Sequence, residues 1–273
     1  MMDWKTYRED NLKSWNSRTP EHVQSAFYDV PGFLEGNEAL MSPELELLTD
    51  VQGKTLLHLQ CHFGMDTLAW ARKGALVTGL DFSDTAIDAA LHLRDQTGLN
   101  AQFICSDVYL LEQHLPPETF DIVYTSYGAI CWLPDLEEWA NLIFRQLKPG
   151  GRLVFVEFHP VLYLFDFNTK ALGYPYFAHQ HPLTEETKGT YASPDANLKL
   201  RDHFWSHPIS EVLTCLLQSG LEISRFSEWD YSPYPCFENM TKISEQKYRW
   251  ENGPYPLPHV YGIIAKKPLS SVI

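Results

Sequence analysis

The sequence is poor in basic residues and has no long apolar run. Its 273 residues include 21 lysines and arginines against 35 aspartates and glutamates, which gives a formal net charge of -14. Nucleic acids and anionic membranes carry the same sign, so this charge disfavours broad contact with either. No run approaches the roughly 18 apolar residues of a membrane span, and the charged N-terminal segment has no apolar signal region. We therefore expect a cytoplasmic protein without a membrane or nucleic-acid partner.

Cysteines are few, and no two of them form a CxxC pair. The five are scattered along the chain, at Cys61, Cys105, Cys131, Cys215 and Cys236. A disulfide framework or a cysteine-based zinc site needs paired spacing, so the sequence predicts neither. The pattern is typical of reduced thiols, and we expect no bound metal.

Glycine is scarce where a nucleotide-binding loop would need it. The stretch TLLHLQCHFGMDTLAWARKG, residues 55–74, is typical of a strand running into a helix, but its bend keeps only Gly64. The absence of GxGxxG argues against a nicotinamide-dependent dehydrogenase. Free N–H groups at the start of the following helix could still bind a carboxylate.

What is present is a regular alternation of strand-like and helix-like segments. The apolar runs LLHLQ, ALVTGLDFS, AQFICSD, FDIVYTSYG and GRLVFVEFHP alternate with stretches of helical character. This order predicts a doubly wound α/β fold around a parallel sheet. Two later strand-like runs, LEISRFSEWD and HVYGIIAKK, have no crossover helix between them. We expect those two to pair antiparallel at the sheet edge.

One segment breaks the alternation. Residues 161–205 are rich in aromatic residues, proline and histidine and lack a clean period, so we predict an insertion that covers the top of the sheet. The predicted organisation is an N-terminal arm at 1–50, a core at 51–160, the insertion at 161–205, and a C-terminal part of the same domain at 206–273.

These segments resemble the class I S-adenosylmethionine (SAM) dependent methyltransferases. LLHLQCHFGMDTLAWARKGALVTGLDFSDTAIDAA resembles the first motif and second strand of that superfamily, FDIVYTSYG its fourth-strand motif, and LKPGGRLVFVE its turn and fifth strand. The chain also resembles a bacterial subgroup with LHLQCHFG, an SW-N-RTP segment (here 14–20) and a DYSPYPCF segment (here 230–237). The resemblance implies a Rossmann-like seven-stranded sheet, SAM as cofactor, and methyl transfer. It names no acceptor.

The resemblance also implies cofactor contacts in the bend. The usual first motif has an acidic residue and three alternating glycines, where this chain has His58, Gln60, His62 and Gly64. SAM has no phosphate, so its methionine tail tolerates larger neighbours than a dinucleotide does. We expect Gln60, Cys61, His62 and Gly64 to contact the cofactor, although His58 and His62 could be packing residues.

Later strand ends supply further expected contacts. Asp81 ends the second strand, where a carboxylate can bind both ribose hydroxyls. Phe82 could stack on the adenine. The family counterpart of Asp107 accepts from the adenine amine, with Val108 beside it, but Asp107 could also cap the short helix that follows. Ser126 ends the fourth strand, which in the superfamily faces the methionine portion.

The N-terminal arm carries three more candidates. Trp15, Arg18 and Tyr28 precede the first strand and are not needed to build it. In many class I methyltransferases an added N-terminal helix folds over the cofactor. We expect Arg18 to pair with the SAM carboxylate and Tyr28 to hydrogen-bond near it. The alternative is that Trp15 and Tyr28 only dock the arm.

Candidate catalytic residues are few. Methyl transfer is an in-line displacement, so the enzyme supplies alignment, a dry pocket and, for an oxygen or nitrogen nucleophile, a base. His159, just past the fifth strand, is the predicted base, and Tyr127 is predicted to shape the methyl site; packing roles are the alternatives. We expect the substrate between His159, the insertion, and a wall of Tyr231, Tyr234 and Phe237.

The sequence indicates the chemical class of the methyl acceptor only broadly. An acidic chain with an aromatic insertion favours an enclosed pocket for a small molecule over a groove for RNA. An Asn-Pro-Pro-Tyr type signature, which marks methylation of nitrogens in bases or glutamine, is absent. Methylation of RNA or protein, and SAM binding without turnover, remain open. We expect a monomer or a homodimer.

Overall fold

A central sheet organises the computed structural model, which describes residues 4–167, 169–177, 181–237 and 239–269. In chain order the strands are β1 (Thr55–Leu59), β2 (Leu76–Asp81), β3 (Ala101–Cys105), β4 (Phe120–Ser126), β5 (Leu147–Phe158), β6 (Leu183–Lys188), β7 (Lys199–Phe204), β8 (Glu222–Trp229), β9 (Thr241–Ser244), β10 (Lys247–Arg249) and β11 (Val260–Lys266). The helices are α1 (Trp4–Gln24), α2 (Val30–Glu35), α3 (Ser42–Leu47), α4 (Met65–Arg72), α5 (Asp84–Thr97), α6 (Leu136–Gln146) and α7 (Ile209–Gln218). Short 3-10 turns lie at Val108–Gln113, Ile130–Trp132 and Leu162–Leu164.

The main sheet has seven strands in the order β3-β2-β1-β4-β5-β11-β8. Strands β1 to β5 pair in parallel, while β11 runs antiparallel to both β5 and β8. The strand order reverses beside β1, since β2 lies on one side of it and β4 on the other. Open α/β sheets bind ligands at such a switch point, outside the carboxyl ends of the strands.

This topology confirms the predicted fold class. The antiparallel partners are also confirmed, because β8 and β11 are the two late runs and β8 forms the sheet edge. The last strand is the interior member of the pair and lies between β5 and β8.

The core lies on both faces of the sheet, as expected for strands covered by helices. Val154 and Val156 of β5 pack on one face with Trp70 of α4. Phe155 packs on the opposite face with Trp139 of α6. Successive residues of a strand point to opposite faces, so one apolar run serves both layers.

Helix starts follow their sequence signals. Ser83 caps α5 by accepting a hydrogen bond from the Ala86 N–H at 3.0 Å. Asp135 caps α6 in the same way, accepting from the Glu138 N–H at 3.0 Å. Each cap partners one of the helix's free N–H groups and so fixes where the helix begins.

The arm contributes a long helix over the sheet's carboxyl edge and a short one on its face. Helix α1 lies against α5 and β7, and α3 packs on β5 and β11. The buried residues of α1 are polar: Asn11, Ser14, Arg18, Thr19 and His22. None of the described helices is long and apolar enough to cross a membrane.

The insertion contains more regular structure than its sequence suggested. Strands β6 and β7 pair antiparallel within 161–205, and β9 and β10 form a second hairpin before β11. Residues 168 and 178–180 of the insertion lie outside the described part of the chain. The three boundaries between the four predicted segments stay predictions.

Candidate functional site

A pocket opens at the carboxyl ends of β1, β2 and β3, beneath the N-terminal half of α1. About 430 Å³ of space free of protein atoms lies in it, part of which is open solvent at its mouth. Four predicted cofactor residues line it: Gln60, Phe82, Asp107 and Val108. They come from three separate strand ends, and the strand order is what brings them together. Polar groups that converge in one concave site mark it as the candidate binding site.

The bend after β1 keeps a glycine-type backbone at three alternating positions. Gln60 has φ 55°, His62 has φ 52° and Gly64 has φ 73°. Left-handed backbone is uncommon for residues with a side chain and costs roughly 1 to 2 kcal/mol for each. The geometry of the bend is therefore retained although two of the three glycines are not. Strain of this kind is typical of functional sites.

Gly64 cannot be replaced for a second reason. A Cβ at this position would lie 2.5 Å from the ring of Phe103, besides requiring the left-handed backbone. The residue is the N-cap of α4 and turns the chain into that helix. The predicted role of Gly64 in shaping the bend fits this geometry, and its contact with a cofactor stays a prediction.

Gln60 has one satisfied and one unsatisfied polar atom. Its Nε2 donates to the Ala129 carbonyl at 2.8 Å, which ties the bend to the loop after β4. Its Oε1 is buried and has no hydrogen-bond partner among the described residues. An unpaired buried carbonyl costs free energy that a ligand donor would recover. The amino group of SAM is such a donor, so this orphaned oxygen fits the predicted cofactor.

Asp81 is buried at the end of β2, beside the pocket residues Leu80 and Phe82. Its Oδ2 accepts from the His62 N–H at 2.8 Å and its Oδ1 from the Ser83 N–H at 2.9 Å. Burial raises the pKa of Asp81 to about 6, against the lowering effect of these N–H groups. A carboxylate oxygen has two lone pairs, so both oxygens can still accept from ribose hydroxyls.

Asp107 already has a cationic partner. Its Oδ2 forms an ion pair with Arg8 of α1, and its Oδ1 accepts from the Tyr109 N–H at 3.0 Å. The expected capping role is therefore present in the structure. Arg8 was missed by the sequence argument, because nothing in the helix pattern shows which turn of α1 reaches β3. Adenine contact by Asp107 stays a prediction, and each of its oxygens keeps one lone pair for such a contact beside these two bonds.

A chain of hydrogen bonds joins the arm, the bend and the insertion. His22 Nδ1 lies 2.9 Å from His62 Nε2, and His22 Nε2 lies 3.1 Å from Thr190 Oγ1. Thr190 Oγ1 accepts backbone N–H groups from Ala192 and Ser193. Its own hydrogen therefore points to His22 Nε2, which leaves His22 Nδ1–H to donate to His62. Burial lowers the pKa of His22 to about 3, so the chain is neutral near pH 7.

The three arm candidates take up docking contacts. Arg18 forms a buried ion pair with Asp202 of β7, and Trp15 packs edge-on against His62 and Trp132. Tyr28 Oη lies 2.5 Å from Tyr191 Oη of the insertion. These contacts fit the docking alternative. The cofactor contacts expected of Arg18, Tyr28 and Trp15 stay predictions.

Two further bend and strand-end candidates are placed close to the site. Cys61 is buried, and burial raises the pKa of its thiol well above the ordinary range, so it is not a nucleophile. Ser126 is partly buried at the end of β4, paired in register with Val156 of β5. Among the described residues, no group of three His, Cys, Asp or Glu side chains could hold a metal ion.

His159 does not have the surroundings of a free base. Its Nδ1 accepts from the Val161 N–H at 3.2 Å, so Nε2 carries the hydrogen and donates to Glu228 Oε1 at 3.0 Å. The ring packs against Tyr261, on the face opposite Phe158. Both nitrogens are engaged in ordering the rim of β5, which matches the packing alternative. The assignment of His159 as base stays a prediction that this geometry does not favour.

The other rings of the predicted wall lie close together, and their contact with a substrate stays a prediction. Tyr234 packs edge-on against Tyr127 and Phe158, and Phe237 packs against Phe158. Tyr231 is buried nearby and lies 3.3 Å from Ser42 through its hydroxyl. The wall forms on the face of β5 that carries Phe158. Phe158 therefore belongs to the wall, and His159 points to the opposite face.

Tyr127 lies within this wall and has a partner that the sequence did not indicate. Its hydroxyl donates to Oε2 of Glu44 in α3 at 2.5 Å. Its backbone has φ 31°, outside the usual regions for a tyrosine. The sequence did not indicate Glu44, because α3 precedes the first strand and the sequence does not show where on the sheet it packs.

Comparison with protein families gives one domain match. Residues 57–155 match the family model described as a methyltransferase domain. This range runs from β1 into β5 and therefore covers the strand ends that line the pocket, but not the part of the lining that α1 supplies.

Similar proteins and structures agree with that match. A ubiquinone biosynthesis O-methyltransferase of Coxiella burnetii is 32% identical over 111 residues, which cover 41% of this chain and 46% of that protein. The chain thus spans about half the length of this relative. An enzyme of the same name from Saccharophagus degradans is 26% identical over 84% of this chain and 90% of its own length. The crystal structure of a SAM-dependent methyltransferase from Methanosarcina mazei covers 84% of this chain and 99% of its own, with a TM-score of 0.57 and 22% identity.

Proposed function

We propose, on the premise that residues 57–155 form a methyltransferase domain within the SAM-dependent methyltransferase fold, that this chain transfers the methyl group of SAM to a small organic acceptor. The domain match and the fold together imply SAM as the cofactor. The observation that carries the proposal is the pocket that gathers Gln60, Phe82, Asp107 and Val108 from three strand ends.

Each pocket residue has a chemical role toward the cofactor in this proposal. Phe82 stacks its ring on the adenine. Asp107, which also forms an ion pair with Arg8, accepts a hydrogen bond from the adenine amine. Asp81 accepts from the ribose hydroxyls, and the buried Oε1 of Gln60 accepts from the amino group. Bound there, SAM supplies an electrophilic methyl group. The chain's part is to orient it and to exclude water.

The acceptor side is proposed to be the ring-lined wall. The rings of Tyr127, Phe158, Tyr234 and Phe237 form contiguous tilted and edge-to-face contacts at the ends of β4 and β5. Such a surface suits a flat apolar molecule better than a polymer backbone. The net charge of -14 supports this choice, since it opposes RNA. The similar proteins are named as O-methyltransferases, so we propose a hydroxyl acceptor on a small aromatic molecule.

The test is methyl transfer from isotopically labelled SAM to a panel of phenols, carboxylic acids, amines and thiols, read by mass spectrometry. We expect label in a phenol. A Phe82→Ala variant should transfer it far more slowly at limiting SAM, while Phe226→Ala, on the exposed edge strand β8, should not. Label found only in RNA or protein would contradict the small-molecule proposal. SAM binding without transfer to any acceptor class would favour a binding module without turnover.

A further inference from the structure

Glu44 is a buried carboxylate that the proposed cofactor contacts do not use. Its residue is 1% exposed, and no lysine or arginine pairs with it in the described part of the chain. Oε1 accepts from the Met41 N–H at 2.9 Å, and Oε2 accepts from the Tyr127 hydroxyl at 2.5 Å. A buried carboxylate without a cation is costly, so Glu44 is a candidate functional group in addition to its contact at the start of α3.

Tyr127 connects this carboxylate to both halves of the site. Two residues along the chain, the Ala129 carbonyl accepts from Gln60 in the cofactor bend. The Tyr127 ring contacts Tyr234 and Phe158, the wall proposed for the acceptor, with centroid distances of 5.5 and 5.6 Å. The Tyr127 ring therefore lies in the wall with its hydroxyl hydrogen-bonded to Glu44, and its backbone is two residues from the carbonyl that Gln60 of the bend contacts.

We propose that Tyr127 and Glu44 form a proton relay for the methyl acceptor, with Tyr127 as the group that contacts the acceptor hydroxyl. This inference rests on the proposed function. The acceptor proton passes to the Tyr127 oxygen while the phenol proton passes to Glu44 Oε2. The acceptor oxygen bonds to the methyl carbon as the methyl–sulfur bond breaks, and that electron pair stays on sulfur. The relay ends with a neutral Glu44 and an unchanged Tyr127.

The electrostatics of the pair suit this direction of transfer. Burial, and after it the Asp66 carboxyl of α4, raise the pKa of Glu44 to about 8, against the lowering effect of the Met41 N–H and the Tyr127 hydroxyl. Tyr124 of β4 is a further titratable group near Glu44, and burial followed by the Glu44 charge raises its pKa. Burial raises the pKa of Tyr127 well above its ordinary range, so the phenol passes the proton and does not hold the charge. A carboxylate that titrates near the working pH is the better general base.

The first test needs no substrate. Glutamate carboxyls are labelled isotopically, and Glu44 is identified by NMR as the signal lost in Glu44→Gln. We expect it to titrate near pH 8. In Tyr127→Phe it should titrate higher still, because a hydrogen bond to the charged form is lost. Glu46→Gln, an exposed position on the same helix, is the matched control. A Glu44 signal that titrates in the ordinary range and ignores Tyr127→Phe would overturn the relay.

The second test uses catechol as the acceptor and separates the two proposals. Wild-type turnover should rise with pH through about 8, and Glu44→Gln and Tyr127→Phe should each lower it by roughly 100-fold and remove that rise. Calorimetric affinity for S-adenosylhomocysteine should be unchanged in both variants. If wild type neither binds S-adenosylhomocysteine nor methylates any acceptor, the proposed function fails. If wild type is active and Tyr127→Phe keeps its rate and pH profile, only the relay fails.

Discussion

At the scale of single residues, the bend after β1 combines a backbone conformation that favours glycine with side chains that form hydrogen bonds. Gln60 and His62 hold a left-handed backbone that glycine adopts without strain. Their side chains compensate, since Gln60 donates to Ala129 and His62 joins the hydrogen-bond chain with His22. The bend thus keeps the geometry of a glycine-rich motif while adding polar groups to the pocket.

A strained backbone at Gln60 predicts different stabilities for two substitutions at that position. Gln60→Ala and Gln60→Gly both lose the bond to Ala129, but only alanine keeps the strained backbone. We expect Gln60→Gly to be more stable than Gln60→Ala by about 1 kcal/mol. Free energies of unfolding in urea measure the difference. At Lys73, which has φ -83°, the same pair should rank in the reverse order. Equal stabilities of the two Gln60 variants would show that the bend is not strained.

Asp81 should make cofactor affinity depend on pH. Its pKa in the folded protein is raised to about 6, so the buried carboxyl is protonated below that value and the ionised form is disfavoured. In the free protein this group therefore lowers stability as pH rises through about 6. A ribose that donates to the carboxylate needs the ionised form, so SAM affinity should rise from about pH 5 to about pH 7.

The matching variant is Asp81→Asn, which keeps the shape and removes the charge. We expect it to weaken SAM binding by about 1.5 to 3 kcal/mol at pH 7 and to abolish the rise with pH. Calorimetry at several pH values measures both, with Asp95→Asn on the exposed end of α5 as control. Unchanged affinity in Asp81→Asn would remove Asp81 as the ribose partner.

Residue roles were predictable where position along a strand fixes them. Gln60, Phe82 and Asp107 follow strand ends, and parallel strands bring their carboxyl ends to one edge, so their meeting in a pocket could be foreseen. Arg8 and Glu44 could not be foreseen, because they lie on arm helices whose docking depends on contacts about 80 to 100 residues away in sequence.

At the scale of elements, α1 differs from the helices that cover the sheet. Helices α4 and α6 bury apolar residues such as Trp70 and Trp139. Helix α1 buries Asn11, Ser14 and Arg18, which bond to β7 through His203 and Asp202. A polar buried face gives no apolar period, so the sequence predicted an arm but gave no bounds for this helix. The β6–β7 hairpin was missed for the related reason that its exposed residues are mostly charged.

The pair of Arg18 and Asp202 is the central contact between these two elements. Both side chains are at most 8% exposed. Removing one partner leaves a buried charge, so Arg18→Ala should lower the free energy of unfolding by about 3 to 5 kcal/mol. Arg225→Ala, which breaks the exposed pair with Glu46, should cost about 0 to 1 kcal/mol.

Denaturant unfolding of both variants measures the contrast, and a double variant tests its cause. Arg18→Met with Asp202→Leu removes both charges and should recover part of the loss. A cost for Arg18→Ala no greater than that for Arg225→Ala would show that α1 is not held by this pair. The arm would then be free to bind the cofactor carboxylate through Arg18, as the sequence prediction had it.

At the scale of the whole molecule, the arm and the insertion form one roof over the sheet's carboxyl edge. Hydrogen bonds connect α1 to the bend at His62, to the insertion at Thr190 and to the third strand end at Asp107. The sheet positions the pocket residues, and the roof determines how open the pocket is. The sheet could be predicted because its strands are local apolar runs. An arm over the cofactor and an insertion over the sheet were expected, but the contacts that join them could not be predicted, because they are polar and long-range.

The central claim is that the pocket beneath α1 binds SAM. Calorimetric titration of S-adenosylhomocysteine into the wild-type protein tests it most directly, with Phe82→Ala and the exposed control Phe226→Ala beside it. We predict one site per chain in wild type, with unchanged affinity in Phe226→Ala. Phe82→Ala should bind about 1 to 3 kcal/mol more weakly, the range for one base stacked on one aromatic side chain. No binding by the folded wild-type protein, or equal affinity in Phe82→Ala, would contradict the claim.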